Sequence, residues 1–308
     1  MCITSSRSLL DNTYLGAWDI QHPNYGYRHV LAYQNRVQNL EEAPNCMLLP
    51  IQSAQPIEPA WLVETSGCPN FLTELYDTID PPPSIEEEGH AWMSAGDDRM
   101  NYVVEQGVYH IAILNNLTTT ALEDTFAQIP AEKLPFISKD LLNFFEQHYK
   151  DYPLLLCCFN NKAAQQAAPI LVHYPPQYPE QLMVNTLDSH GGIPSLGKMT
   201  GFHQKMVIGS YKNQQEEPQK PYKKITFEAY PQLQEFLPQY AFAVDLLYQF
   251  NAPNNDLLFS VKELQEGTLP KVELGLLQKA NKLIDLKTAA LTGSSNLVLR
   301  GQLGWDKY

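Results

Sequence analysis

The apolar residues of this chain follow two spacings, one typical of strands and one typical of helices. Residues 27–37 alternate apolar or aromatic with polar positions, and residues 46–51 form a short apolar run, so both segments are predicted to be strands. Similar patterns predict strands at 102–104, 108–114, 154–159, 169–174, 182–187, 205–210 and 257–261. The connections within 154–210 are short. They favour antiparallel pairing, because parallel strands need crossovers of about a dozen residues, and we expect these four strands to form the central sheet.

Apolar residues at helical spacing predict helices at 70–79, 121–128, 139–149, 230–250 and 272–291. Residues 118–120 and Ser138 offer N-caps for the second and third of these, and Pro238 should break the fourth. The two patterns together predict an α+β fold with a large, mainly antiparallel sheet or sheets and packed helices. No clean linker divides the chain, so we expect a single globular domain over 1–308, with exposed loops near 80–90 and 211–224.

The composition is that of a globular protein with an acidic balance of charge. Hydrophobic residues make up 44% of the 308 positions, and 34 acidic residues outnumber 21 basic ones to give a formal net charge of −13. This charge argues against nucleic acid or an anionic membrane surface as a partner. No apolar run approaches the roughly 18 residues that a membrane span requires, so no membrane span is expected.

The cysteine count indicates a reducing compartment. The five cysteines are odd in number and include no Cys-x-x-Cys pair, so they do not form a recognisable disulfide framework. Residues 1–19 also lack the basic region and apolar stretch of a signal peptide. We therefore expect a cytoplasmic protein.

Cys2 is the first candidate for chemistry. Its small side chain normally allows the initiator Met1 to be removed, which leaves a thiol and an α-amine on one residue. The amine, with a reference pKa of about 7.7–8.0, can accept the thiol proton and leave a nucleophilic thiolate. If Met1 is retained, Cys2 is an ordinary thiol on a first strand.

The opening residues resemble N-terminal-nucleophile hydrolases, in particular the choloylglycine-hydrolase and penicillin-V-acylase group. The similar residues are Met-Cys-Ile-Thr at 1–4, a turn at 11–13, and Leu-Gly-Ala-Trp-Asp at 15–19. The resemblance implies an opening hairpin, αββα layers, Cys2 as nucleophile and Asp19 as the residue that orients the amine. Ala17 stands where the family has Arg, and one residue is missing, so substrate anchoring should differ. The segments 31–35 and 45–50 also resemble an uncharacterised bacterial family, which implies no activity.

Aromatic and amide side chains near this segment are candidates for substrate binding. On the hydrolase interpretation, Trp18 and Tyr25 would contact an amide substrate, and Asn35 would donate a hydrogen bond to an oxyanion. Alternatively, these residues are half-buried members of a sheet.

A second constellation contains one carboxylate and three histidines. Asp188 and His190 are two residues apart at a strand end, with His173 on the strand before and His203 on the strand after. Residues two apart share a face of a strand, so the four side chains are candidate ligands for Zn²⁺ or another divalent ion. No tight metal-binding motif is present, and histidines at such positions also commonly bond a neighbouring carbonyl group.

The same histidine suits thiol chemistry. His190 is a candidate base for Cys2, Cys157 or Cys158, with Asp188 orienting the imidazole ring. The 191–192 glycine pair would then offer backbone amides to an oxyanion, or would form a simple turn. Cys157 and Cys158 lie in an apolar run, where buried thiols behave as small hydrophobic groups.

Two functions therefore remain open. One is an N-terminal cysteine hydrolase that cleaves a non-peptide amide bond of a small molecule, with no cofactor. The other is a non-catalytic binding or assembly protein that recognises a protein partner. No glycine-rich phosphate-binding motif is present, so no nucleotide cofactor is expected.

Overall fold

The computed structural model describes residues 2–80, 103–197, 204–212, 221–246, 254–270, 272–276 and 297–298. The strands are β1 (Cys2–Thr4), β2 (Ser8–His22), β3 (Gly26–Asn39), β4 (Asn45–Pro50), β5 (Val103–Gln106), β6 (Tyr109–Leu114), β7 (Leu154–Phe159), β8 (Gln165–Gln166), β9 (Ile170–Tyr174), β10 (Gln181–Val184), β11 (Asp188–Ser189), β12 (Gln204–Ser210), β13 (Lys223–Lys224), β14 (Tyr240–Leu246), β15 (Leu257–Ser260), β16 (Val272–Leu274) and β17 (Leu297–Val298).

Within the described residues, helices are fewer than strands. The α-helices are α1 (Phe71–Ile79), α2 (Thr119–Phe126), α3 (Lys139–Tyr149) and α4 (Val261–Gln265), and single 3₁₀ segments span Pro59–Trp61, Ala131–Lys133 and Pro231–Phe236. Thr118 and Ser138 cap α2 and α3 as expected, since each hydroxyl accepts a hydrogen bond from a first-turn backbone N–H. None of the described helices has the length and apolar character needed to cross a bilayer.

The strands form three sheets. A six-stranded sheet has the order β11-β1-β4-β7-β6-β5, and a three-stranded sheet has the order β10-β15-β16. An eight-stranded sheet has the order β13-β14-β12-β2-β3-β8, with β9 beside β3 and β17 beside β14. Most pairs are antiparallel, and β1/β11, β2/β12 and β14/β17 are parallel. The predicted α+β class with large antiparallel sheets is confirmed.

Both faces of the eight-stranded sheet are buried. Alternate residues of β2, such as Leu15 and Ala17, join residues of the six-stranded sheet in a core that we call the inter-sheet cluster. The intervening positions, such as Trp18 and Ile20, pack with α1 in a second core that we call the α1 cluster. The two-residue period therefore divides one sheet between two cores.

The opening hairpin implied by the hydrolase resemblance is wrong. Residues 11–13 do not turn the chain back, because β2 continues from Ser8 to His22. Asn12 has a positive φ of 48° at a register shift between Asp11 and Tyr14, so the polar triplet forms a β-bulge. β1 and β2 then lie in different sheets.

The predicted central sheet is also wrong. β7 belongs to the six-stranded sheet, β10 to the three-stranded sheet, and β9 and β12 to the eight-stranded sheet. Consecutive strands separate because each apolar segment must be buried on both faces, and no single sheet covers all of them.

Two helix predictions require correction. The described part of the predicted helix at 230–250 forms the 3₁₀ segment Pro231–Phe236 and then β14, which pairs with β12 from Tyr240 to Leu246. Residues 247–250 lie outside the described residues. Short apolar runs suit either structure, and pairing with a buried strand decides this case. Val272–Leu274 is strand β16, and 277–291 of the last predicted helix lies outside the described residues. The same holds for most of the two predicted loops, at 81–90 and 213–220.

Candidate functional site

The edge of the six-stranded sheet brings the N-terminal strand beside Asp188. β1 lies between β11 and β4, and its parallel register with β11 sets the Cα atoms of Cys2 and Asp188 opposite each other. Adjacent strands are separated by about 4.8 Å, so the two backbones are direct neighbours. Met1 and the side chain of Cys2 lie outside the described part of the chain.

The turn that follows β11 is held against β1 and the start of β2. The N–H of Ser8 donates to the carbonyl of His190 at 3.1 Å, and the N–H of Gly192 donates to the carbonyl of Thr4 at 3.0 Å. Gly191 has a φ of +151°, and a Cβ there would lie 3.2 Å from the Arg7 backbone, so glycine suits this close approach. The Gly192 amide is already bonded to Thr4 and is not free for an oxyanion.

The side chains of Asp188, which is buried, and His190, which is partly exposed, lie close together. His190 Nε2 lies 3.1 Å from Asp188 Oδ2, and the two side chains are 35% and 1% exposed. No donor among the described residues makes a hydrogen bond to either carboxylate oxygen of Asp188, and the contact with His190 Nε2 is a close approach without hydrogen-bond geometry. The Asn254 side chain bonds the Asp188 backbone on both sides, at 2.7 Å each, and fixes the residue in place.

Asp19 lies elsewhere, in the eight-stranded sheet. Its buried carboxylate accepts hydrogen bonds from Tyr27 Oη at 3.2 Å, from the Tyr211 N–H at 3.2 Å and from Gln265 Nε2 at 2.7 Å. Burial raises its pKa, and these hydrogen bonds oppose the rise. A fourth partner, the Ser210 side chain at the end of β12, also bonds this carboxylate and opposes the rise most. The four donors come from that sheet, from the segment just after β12, or from α4. The predicted role of Asp19, to orient an N-terminal amine, involves atoms outside the described residues and stays a prediction.

The three residues expected to bind substrate occupy different environments. Trp18 is fully buried, and its Nε1–H donates to the carbonyl of Phe236 at 2.7 Å. Asn35 is also fully buried; its amide donates to Tyr33 Oη at 3.0 Å and accepts from Tyr109 Oη at 2.8 Å. These two side chains are satisfied members of the cores. Tyr25 is 40% exposed and lies on the turn between β2 and β3.

The four predicted metal ligands do not come together around Asp188, so the predicted metal site is wrong. His173 lies on β9 opposite Val30, on the face of the eight-stranded sheet that points away from the six-stranded sheet. Its ring stacks on His22 at 5.5 Å and on Phe236 at 5.3 Å. His203 lies outside the described residues. In the described ranges no group of three or more His, Cys, Asp or Glu side chains could hold a metal ion.

Cys157 and Cys158 are unsuited to act as nucleophiles. Both are completely buried in β7, where Cys158 faces Cys46 across the β4/β7 pair. Burial raises the thiol pKa of Cys46 and Cys157 well above its ordinary value. These thiols therefore behave as small hydrophobic groups of the core and not as nucleophiles.

Several functionally interesting residues carry no signal in the sequence. Asn254 anchors Asp188 from 66 residues away, and no local pattern marks it. Arg28 is buried against Trp61, although the alternation of 27–37 identified only its strand. The aromatic residues near the opening segment, Trp18 and Tyr25, are the sequence signal that pointed to this region.

Comparisons with known proteins leave the function open. No family model matches the chain, and no curated protein matches it. Among solved structures, the crystal structure of baculovirus P35 is similar over 89% of this chain and 94% of its own, at 13% identity and a TM-score of 0.40. A likeness at this level carries no argument about activity, so function must be argued from the site itself.

Proposed function

We propose that this protein is a thiol-dependent hydrolase in which Cys2 is the nucleophile, His190 the base and Asp188 the residue that orients His190. One observation carries the proposal: the strand pairing that sets Cys2 opposite Asp188, beside a carboxylate–imidazole pair at 3.1 Å. A thiol next to a base that is itself oriented by a third group is the common arrangement of nucleophilic catalysis.

The reaction divides into two transfers. The His190 imidazole takes the thiol proton, and the thiolate attacks the carbonyl carbon of an amide. The C–N bond breaks, the amine leaves with the proton from the imidazolium, and a thioester remains. Water, deprotonated by the same imidazole, then attacks the thioester, and the products are a carboxylic acid and the regenerated thiol.

This assignment differs from the N-terminal-nucleophile mechanism in its base. The imidazole replaces the α-amine, so the proposal does not depend on removal of Met1 or on Asp19. A small non-peptide amide remains the proposed substrate class, and it rests on the resemblance of residues 1–4 and 15–19 to that hydrolase group.

Alkylation of Cys2 by iodoacetamide tests the proposal without knowledge of the substrate. We expect wild-type Cys2 to react at pH 7 about tenfold faster than in His190→Gln and Asp188→Asn variants, because the imidazole promotes thiolate formation. Peptide mass spectrometry over a pH series measures the rate at each thiol. His148→Gln on α3 is the matched control and should leave the rate unchanged, while buried Cys46, Cys157 and Cys158 report that the fold is intact.

A non-catalytic binding protein is the second candidate. It is favoured by the burial of Trp18 and Asn35, two of the three side chains expected to contact a substrate. On this alternative, Cys2 reacts like an ordinary thiol with a pKa of about 8.5, and His190→Gln changes nothing. That result would exclude the hydrolase proposal.

A further inference from the structure

Arg28 is a buried cation whose hydrogen-bonding capacity is unused. The residue is 8% exposed, and its Nε and Nη1 atoms have no hydrogen-bond partner among the described residues. Buried guanidinium groups normally bond a carboxylate, a phosphate or backbone carbonyls, because an unpaired buried charge is costly. Arg28 therefore has free donors for an acceptor that the described chain does not supply.

The guanidinium of Arg28 lies over two aromatic rings. Its Cζ lies 4.7 Å from the ring centroid of Trp61 and 5.3 Å from that of Tyr25. Cation–π contacts of this kind stabilise the charge. The two rings supply no hydrogen-bond acceptor in the plane of the guanidinium, where its N–H groups point. Trp61 is 3% exposed, whereas Tyr25 is 40% exposed and lies on the β2–β3 turn, so Tyr25 is the movable cover.

Four aromatic or imidazole rings lie close together beside Arg28. The ring of Tyr25 lies 4.8 Å from those of His22 and His173 in tilted contacts, and His173 stacks on both His22 and Phe236. Burial lowers the pKa of His173 to about 4, with smaller contributions from His22 and Arg28, so this imidazole is neutral at pH 7. His22 Nδ1 accepts from the backbone N–H groups of residues 24 and 25, which leaves its proton on Nε2.

The acidic residues near this cluster do not satisfy Arg28. Glu235 Oε2 lies 3.3 Å from His22 Nε2, and exposed Glu58 acts on Arg28 electrostatically without a hydrogen bond to its Nε or Nη1. These two carboxylates disfavour a doubly charged phosphate. A single carboxylate fits better, because it matches the planar guanidinium fork and brings one negative charge.

We propose that Arg28 is the anchor of a binding site for a small aromatic carboxylate. The carboxylate accepts hydrogen bonds from the guanidinium, and the ligand ring replaces Tyr25 against Trp61 and His173. Displacement of Tyr25 opens the site, since this side chain belongs to an exposed turn. The site is independent of Cys2 and of the proposed hydrolase.

Calorimetric titration with benzoate tests this site. We expect saturable binding to the wild-type protein, and binding of benzamide, a neutral molecule of the same shape, at least about tenfold weaker. Arg28→Lys should weaken benzoate binding by about tenfold or more, because lysine keeps the charge and loses the fork. Arg28→Met should abolish it. The matched control is Arg36→Met, at an exposed position of the same strand, which should bind as the wild type does.

Tyr25→Ala supplies a second measurement that does not alter Arg28. We expect faster association of benzoate by stopped flow, because the cover is removed. Circular dichroism of each variant reports folding, and Arg28→Lys decides the question if Arg28→Met does not fold. The proposal is overturned if benzoate fails to bind the wild-type protein, if benzamide binds equally well, or if Arg28→Lys and Arg36→Met bind alike.

Discussion

His173 and His29 are buried imidazoles that the native state keeps neutral. Burial lowers the pKa of His173 from 6.5 to about 4 and that of His29 from 6.5 to about 3. In the unfolded chain both regain the ordinary value. Below pH 6.5 the unfolded state therefore binds protons that the native state does not, and the free energy of unfolding falls as pH decreases.

We expect His173→Gln to flatten this pH dependence. Between pH 6.5 and about 4, His173 should account for up to roughly 1.4 kcal/mol of lost stability per pH unit. Above pH 6.5 it contributes no pH dependence, since both states are neutral. Urea denaturation at pH 5 and pH 7.5 measures the difference between wild type and variant. The comparison also cancels the opposite contribution of Asp19, whose raised pKa makes the native state take up a proton first. Equal slopes for the two proteins would contradict the assignment.

At the scale of elements, β2 shows how local sequence and structure can diverge. The triplet at 11–13 is polar and contains Asn, a composition that suits a turn and a bulge equally. The residues after the triplet separate the two outcomes. Leu15 to Ile20 must be buried on both faces, and only a continuous strand between β3 and β12 achieves this.

Gly16 marks the tightest approach in this strand pair. A Cβ at this position would lie 2.4 Å from the six-membered ring of Trp18 and 2.9 Å from the Cβ of Ala32. We expect Gly16→Ala to destabilise the protein by about 1–3 kcal/mol, because the buried indole and β3 must shift. Gly67→Ala is the matched control, since a Cβ there meets no atom within 4 Å. Chemical denaturation measures both, and equal stabilities would show that the indole has room to move.

At the scale of the whole molecule, the eight-stranded sheet joins the two cores. β2 and β3 place alternate residues in the inter-sheet cluster and in the α1 cluster, so neither core can lose its strands without exposing the other. The single domain over 1–308 stays a prediction, and a cooperative unfolding transition would be its signature.

Buried cysteines report on each core separately. Cys46, Cys157 and Cys158 belong to the inter-sheet cluster, and Cys68 belongs to the α1 cluster. We expect all four thiols to become reactive in one transition when labelling is followed through a urea series by mass spectrometry, because the shared sheet couples the cores. Labelling of Cys68 at a distinctly lower urea concentration would instead indicate two units that unfold separately.

Much of the local structure is predictable from the sequence. Strand β3 follows the two-residue period, strands β4 and β7 are short apolar runs, and α1 to α3 follow the helical period, with caps on α2 and α3 at Thr118 and Ser138. Strand β14 was not predicted, because a short apolar run between prolines carries no decisive period. The candidate site was partly visible, in that Asp188 and His190 are two residues apart and do form a pair.

Local sequence alone determined most of the strands and helices, because periodicity and capping act within a few residues, whereas pairing with β12 decided β14. Tertiary structure decided which strands pair, because backbone hydrogen bonds in a sheet are the same for every sequence and the choice depends on which faces can be buried together. The neighbours of functional groups follow from those pairings. Cys2 lies beside Asp188, His173 faces away from it, and Arg28 is buried between aromatic rings, because the chain was divided among three sheets that no local pattern encodes.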